Sequence, residues 1–169
     1  NAAFVLKGLN KLFGLKISYK KLAKWGEKIG SDVPFFFSSG AAVVTGRGEK
    51  VQSIKFPLDY WIQLVKPDFS VSTKWAYTNF KFGLTKKPKL FSLISQKKRK
   101  TFEEISSYCK NDLEVVVSKK FAIIGQIKNQ MLKKGAIFAA MSGSGPTVFG
   151  IFKNKSTAQE VMKKFKQGK

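Results

Sequence analysis

The sequence predicts an α+β fold, and three observations carry that expectation. Two short apolar runs, 136–141 and 147–152, flank Ser142-Gly143-Ser144-Gly145-Pro146, the pattern of two buried strands joined by a turn. The segments before and after them repeat apolar residues at helical spacing, with Ala158, Val161, Met162 and Phe165 as the cleanest stripe. Read in order, the second half gives a strand, helices, two strands and a helix, which places helices over one face of an antiparallel sheet.

From the start of the chain, Val5, Leu9, Leu12 and Phe13 mark a helix over 1–13 that Gly14 stops. Ser18 caps a second helix over 19–28, with Leu22, Ala23 and Trp25 as its apolar contacts and Gly30 beyond its end. Residues 33–37 are aromatic and broken by Pro34, so they are expected not to be helical. A strand over 41–45, a turn at Gly46-Arg47-Gly48-Glu49 and a returning strand over 51–54 follow. Pro57 and Asp59 mark a boundary, dividing the chain into domains 1–58 and 59–169.

Beyond the boundary, 60–65 reads as a buried strand, 66–70 as a loop, and Ser72 or Thr73 as the cap of a helix through Tyr77. The stretch 80–100 is basic, carries Gly83 and Pro88, and is expected to be irregular. Thr101 and Glu104 form a capping box opening a helix that carries Ile105, Cys109, Leu113 and Val116. The next helix carries Phe121, Ile124, Ile127 and Met131 and ends at Gly135. After the strand pair, Ser156 and Gln159 form a second capping box before the last helix.

Composition narrows the chemistry. The 169 residues are 43% hydrophobic, enough to bury a core, and 32 Lys+Arg oppose 10 Asp+Glu for a net charge of +22. With no histidine, a Ser-His-Asp triad, a Cys-His dyad and a His-bearing zinc site are excluded. The single cysteine, Cys109, excludes an internal disulfide and reads as a structural thiol in a reducing compartment. No apolar run reaches the roughly 20 residues needed to span a bilayer. The start is not of the secretory-signal type; it lacks Met and reads like the inside of a helix. The positive charge suits either a polyanion or a solvated lysine-rich surface, and the scatter of the lysines favours the surface.

Three groups of residues carry possible chemistry, each beside a plainer alternative. Asp32, between Gly30-Ser31 and Val33-Pro34, is a carboxylate on a pinned backbone, able to orient or deprotonate a hydroxyl, or else a turn aspartate bonded to its own backbone. Ser142, Gly143, Ser144 and Gly145 offer amides and hydroxyls to an anion, or simply turn a hairpin. No Gly-Lys-Ser/Thr follows them, so the loop is not a Walker A sequence. Thr73 and Tyr77 stand one helical turn apart, a hydroxyl beside an aromatic able to stack on a base, or ordinary core.

Taken together and in order, five blocks closely resemble the 4-diphosphocytidyl-2-C-methyl-D-erythritol kinase family of the GHMP kinase superfamily. They are Asn1-Ala2-Ala3, Gly30-Ser31-Asp32-Val33-Pro34-Phe35-Phe36, Gly46-Arg47-Gly48-Glu49, Asn111-Asp112-Leu113-Glu114 and Met141-Ser142-Gly143-Ser144-Gly145-Pro146-Thr147-Val148-Phe149-Gly150. The resemblance runs over essentially the whole chain. It implies the remainder of a ribosomal protein S5 domain 2-like ATP domain over 1–58, then a ferredoxin-like α+β sandwich over 59–169.

The activity implied is ATP-dependent phosphorylation of the 2-hydroxyl of a cytidine diphosphate-linked methylerythritol, in non-mevalonate isoprenoid synthesis, with Mg²⁺ accompanying ATP. Asp32 falls on the family's catalytic aspartate. Asn1 begins the phosphate-facing helix where many members have Asp, and Ser142, Gly143, Ser144 and Gly145 match the third superfamily motif. Thr73 falls where the family has a substrate-contacting threonine, and Tyr77, on a looser match, where an aromatic stacks on cytosine. The resemblance further implies a cytoplasmic enzyme with a small-molecule partner and neither nucleic acid nor membrane. It also implies that the family's glycine- and serine-rich phosphate loop and catalytic lysine lie ahead of Asn1, so that these 169 residues alone are inactive.

Phosphoryl transfer is mostly positioning and charge neutralisation, so a histidine-free kinase is chemically sound. Two rivals stand beside it. One is a basic nucleic-acid-binding module using Trp25, Trp61, Trp75 and Tyr77 as stacking platforms, which no RNA- or DNA-binding signature supports. The other is a GHMP kinase for a different small alcohol.

Overall fold

The computed structural model describes residues 1–38, 40–54, 59–80 and 101–167. The chain divides into two compact units, 1–56 and 57–169.

The first unit opens with α1 (Ala2–Leu12) and α2 (Tyr19–Glu27), the latter capped by Ser18, whose hydroxyl accepts from the Lys21 amide. The segment expected to be non-helical is a 3-10 turn, Val33–Phe37. Pro34 sits in its first turn, where a missing N–H costs nothing, so proline starts this turn rather than breaking it. Strands β1 (Ala42–Thr45) and β2 (Lys50–Ser53) pair antiparallel, Val43 opposite Gln52. Lys7 ties α1 to the rest of the unit. Its ammonium donates to the Phe36 carbonyl at 2.6 Å and lies 5.2 Å from the ring centroids of both Tyr19 and Phe37.

The helical periodicity of α1 is present, but its apolar stripe is not core. Phe4, Val5, Leu9, Leu12 and the following Phe13 are all exposed, and Ala3 is the buried residue of the helix. In α2 the buried side chain is Leu22, while Trp25 is exposed under the Lys21 ammonium.

The second unit is built on a sheet of order β3-β5-β4, with β3 at Trp61–Val65, β4 at Phe138–Met141 and β5 at Val148–Phe152. Both pairings are antiparallel, with Gln63 and Ala139 on either side of Gly150. The helices are α3 (Thr73–Asn79), α4 (Phe102–Ser106), α5 (Asp112–Lys120), α6 (Ala122–Lys133) and α7 (Lys155–Gln167). Helix α6 packs on β4 and β5, and α7 on β3 and β5, so one face of the sheet is covered as expected for an α+β sandwich. Val148 and Phe152 join Met131, Ile127, Ile124 and Val161 in that core. Gly150 makes the contact possible, because a Cβ there would lie 2.9 Å from the Met131 sulfur.

Four local expectations change. Among the described residues β3 is an edge strand, not a buried one: Trp61, Ile62 and Leu64 are exposed and Gln63 is the buried residue. Oriented to satisfy its amide, Gln63 donates to the Ala158 carbonyl and accepts from the Met162 amide, which locks β3 to α7. The single helix expected after Thr101 is two helices. The capping box forms, with Thr101 accepting from the Glu104 amide and Glu104 from the Thr101 amide, but α4 stops at Ser106. Asn111 then caps α5, which resets the phase and buries Val117 in place of Val116. Finally, Ser156 lies inside α7, which begins at Lys155, and Met162 of its stripe is exposed. The irregular segment expected over 80–100 lies, beyond Phe80, outside the described residues.

Near the sheet's open end, Glu103 accepts from the Tyr60 hydroxyl at 2.6 Å and pairs with Lys153 at 2.7 Å. The Lys153 ammonium, then the Tyr60 hydroxyl, then Glu103's own amide hold its carboxyl down to about 2. A carboxyl lowered by folding contributes stability above its ordinary value of 4.5 and loses it as pH falls toward 2. Urea melts of Glu103→Gln between about pH 5 and 2 are therefore expected to lose part of the wild-type acid dependence. Identical slopes in the two proteins would remove Glu103 from the acid transition.

Candidate active site

In the first unit, Asp32 is exposed at the entry to the 3-10 turn and makes no side-chain capping bond. The plainer alternative, a carboxylate spent on its own backbone as a cap, is not what the structure shows. The Gly46–Glu49 turn presses against it from the side. At Gly48, with φ of +119°, an added Cβ would stand 2.9 Å from the Ser31 carbonyl oxygen and 3.0 Å from Asp32 Oδ1. Glycine is thus required twice there, by backbone conformation and by the close approach. Glu49 closes the turn by accepting from the Arg47 amide at 2.7 Å, and its own amide and that of Arg47 lower its pKa. Asn1 stands at the N-cap of α1 without a side-chain capping bond, leaving first-turn amides without that partner.

The second unit brings the other predicted residues together. Thr73 Oγ1 and Ser144 Oγ are 2.9 Å apart, so the start of α3 touches the glycine loop directly. One turn on, Tyr77 lines an open pocket of about 610 Å³ with Ser142, Gly143, Asn111 and Met141. Tyr77 is 54% exposed, which removes the alternative that it is ordinary core. In the loop, Gly143 and Gly145 take φ of +57° and +86°, and a Cβ on Gly145 would lie 2.7 Å from the Met141 sulfur. The Ser142 amide donates to the Thr147 carbonyl and the Gly145 amide to the Ser142 carbonyl. Among the described residues the amides of Gly143 and Ser144 have no backbone acceptor. Such a turn presents donors to an anion.

Two residues beside the loop, Asn111 and Glu114, enter the sequence reading only within the Asn-Asp-Leu-Glu block of the resemblance, with no role of their own. The Asn111 amide donates to the Met141 and Gly143 carbonyls, while its oxygen accepts from the Leu113 amide. Glu114 accepts from the Met141 amide at 2.8 Å and pairs with Lys128, its side chain only 13% exposed. The Asn-Asp-Leu-Glu string signals a helix start, but nothing in it shows that the cap also holds a loop thirty residues away. Cys109 lines the same pocket, and burial pushes its thiol up, as suits a structural cysteine. The tryptophans make no shared platform: Trp75 packs on Phe121 under Lys120, and Trp61 lies under Lys155.

The site separates by unit. Asn1 and Asp32 belong to the first; Thr73, Tyr77 and the 142–145 loop belong to the second. Among the described residues no three carboxylate, histidine or cysteine side chains gather as a metal site, and no helix is long and apolar enough to cross a membrane.

The family model for the GHMP kinases C terminal region matches residues 90–168. A 4-diphosphocytidyl-2-C-methyl-D-erythritol kinase of Bacillus velezensis is 40% identical over 161 residues, 95% of this chain and 56% of that protein. The enzyme of the same name from Thermodesulfovibrio yellowstonii is 40% identical, covering 98% of this chain and 60% of its own length. A crystal structure of 4-(cytidine 5'-diphospho)-2C-methyl-D-erythritol kinase superposes with a TM-score of 0.73 at 23% identity, over 98% of this chain and 59% of that one. A homoserine kinase from Cytophaga hutchinsonii shares the fold more distantly, with a TM-score of 0.59 at 17% identity. The chain thus spans a little over half the length of the relatives it matches.

Proposed function

Since the chain belongs to the 4-diphosphocytidyl-2-C-methyl-D-erythritol kinase family of the GHMP kinases, we propose that it is part of an enzyme phosphorylating the 2-hydroxyl of that cytidine diphosphate-linked alcohol. The observation that carries the reading is the meeting of α3 with the glycine loop. Thr73 and Ser144 join the start of α3 to the loop as a hydroxyl pair, and beside that junction Tyr77, Ser142 and Gly143 line one pocket. That combination suits a ligand with a flat base and a phosphate chain: Tyr77 stacks on the base, Thr73 contacts the substrate, and residues 142–145 border its phosphates.

ATP, the phosphoryl donor, would come with Mg²⁺ neutralising its phosphates. The residues here fit the nucleotide in part. The first-turn amides of α1 behind Asn1 suit phosphate oxygens, and a metal carried on those phosphates needs no protein cage. Asp32 takes the role of base or orienter. As the alcohol oxygen bonds to the γ-phosphorus and the bond to ADP breaks, the hydroxyl proton passes to its carboxylate. Residues 1–58 then belong to the ATP-binding catalytic domain and 59–169 to the C-terminal domain.

The test is a substrate panel with the complete gene product that contains these 169 residues, scored by ADP release and mass of the product. Transfer to the cytidine diphosphate-linked alcohol, and not to homoserine or mevalonate, is the expected result. Preference for another small alcohol would reassign the substrate, and salt-resistant RNA binding without transfer would overturn the kinase reading.

A further inference from the structure

We propose that Asn111 is a positioning residue for the reaction, a role that rests on the kinase reading above. Its side chain is fully committed. One amide hydrogen goes to the Met141 carbonyl at 2.8 Å, the other to the Gly143 carbonyl at 2.7 Å, and the oxygen takes the Leu113 amide at 3.1 Å. The first two bonds span the loop's entry and its left-handed residue; the third caps α5.

Peptide planarity turns this anchoring into aim. In a trans peptide the C=O of one residue and the N–H of the next point in opposite directions. Fixing the Gly143 carbonyl on Asn111 therefore directs the Ser144 amide to the far side of the loop, where it has no backbone acceptor among the described residues. The Ser144 hydroxyl is held on Thr73, so the residue offers an oriented amide beside an oriented hydroxyl pair. Glu114 braces the same strand end. One carboxylate oxygen takes the Met141 amide, and Lys128 on α6 holds the other. Asn111 and Glu114 are three apart and stand side by side on α5, so one helix start grips both the carbonyl and the amide of Met141. The ligand class that such a donor set receives is a phosphate oxygen, which gains most when the donors are fixed beforehand.

Capping and aiming can be separated. Asp and Ser cap a helix about as well as Asn, but neither donates two hydrogen bonds to carbonyls. Asn111→Asp and Asn111→Ser in the complete gene product should keep the cap and lose melting temperature only by the two missing loop bonds, more in Asp, whose carboxylate faces the Met141 and Gly143 carbonyls. Both should speed hydrogen exchange in the peptide covering residues 142–146 and lower kcat about 10- to 100-fold, since a misplacement near 1 Å can cost about 10²-fold. KM for the alcohol should change much less than kcat. Unchanged kcat in an active enzyme overturns the proposal even if exchange rises, and so does a large loss of melting temperature in both variants, which would make the bonds from Asn111 to the loop carbonyls structural. An inactive wild type overturns the kinase reading itself, and the two failures are told apart by that control.

Discussion

Asp32→Asn in the complete gene product is expected to lower kcat by about 100-fold or more, because a positioned acid-base group contributes roughly 10²–10⁴-fold. The substitution is nearly isosteric and removes a carboxylate that is exposed and makes no capping bond, so the fold should be untouched. If Asp32 has the proposed role, the geometry predicts that a longer acid would not serve. Gly48 brings the backbone of the neighbouring turn to within contact of Asp32 Oδ1, and the 3-10 turn starting at Val33 fixes the backbone on the other side. Asp32→Glu, one methylene longer, must displace its carboxylate from that seat and is expected to lose most of the rate too. Kinetics of both variants beside their circular dichroism check the expectation. Full activity in Asp32→Asn would take this residue out of the mechanism.

The second large effect is on stability. Phe152→Ala should cost about 3–5 kcal/mol and lower the melting transition of the second unit by at least about 10 °C. Phe152 has no exposed surface and lies on the central strand, where it joins the core shared with Met131, Val148 and Val161. Truncation leaves a cavity that β5 cannot close, since it is hydrogen-bonded on both sides by β3 and β4. Phe149, on the opposite face of the same strand and only partly buried, is the internal control. Phe149→Ala should cost clearly less. Equal costs would mean that the alternation along β5 does not set the core.

The elements set by local chemistry were readable from the sequence. Ser18, Ser72 and the Thr101–Glu104 box all sit at helix starts, and the two strands around residues 142–146 pair in the expected hairpin. What the sequence left hidden depends on partners distant along the chain. An apolar run such as Trp61–Val65 has the same letters whether it lies at the centre or the edge of a sheet, and only the strand order shows that β3 has one neighbour among the described residues. The stripe of α1 has a helical period whether or not anything covers it. The break after Ser106 was missed because the apolar spacing runs on through Cys109 and Leu113, while Asn111 restarts the helix in a new phase. At the site, Thr73 and Tyr77 were legible as one helical face. The meeting of Thr73 with Ser144, seventy-one residues away, and the grip of Asn111 on the loop were not.

The uncovered stripe of α1 has a consequence for how the polypeptide behaves in bulk. Val5, Leu9 and Leu12, on one side of the helix, are each about half exposed or more, apolar surface of the kind that draws copies of a protein together. The net charge of +22 opposes that by mutual repulsion, but only over a Debye length, about 30 Å at 0.01 M salt and 8 Å at 0.15 M. Association of the 169 residues is therefore expected to depend on salt. Light scattering should report dispersed chains in dilute buffer and growing association as sodium chloride is added, with Leu12→Glu shifting the onset to higher salt.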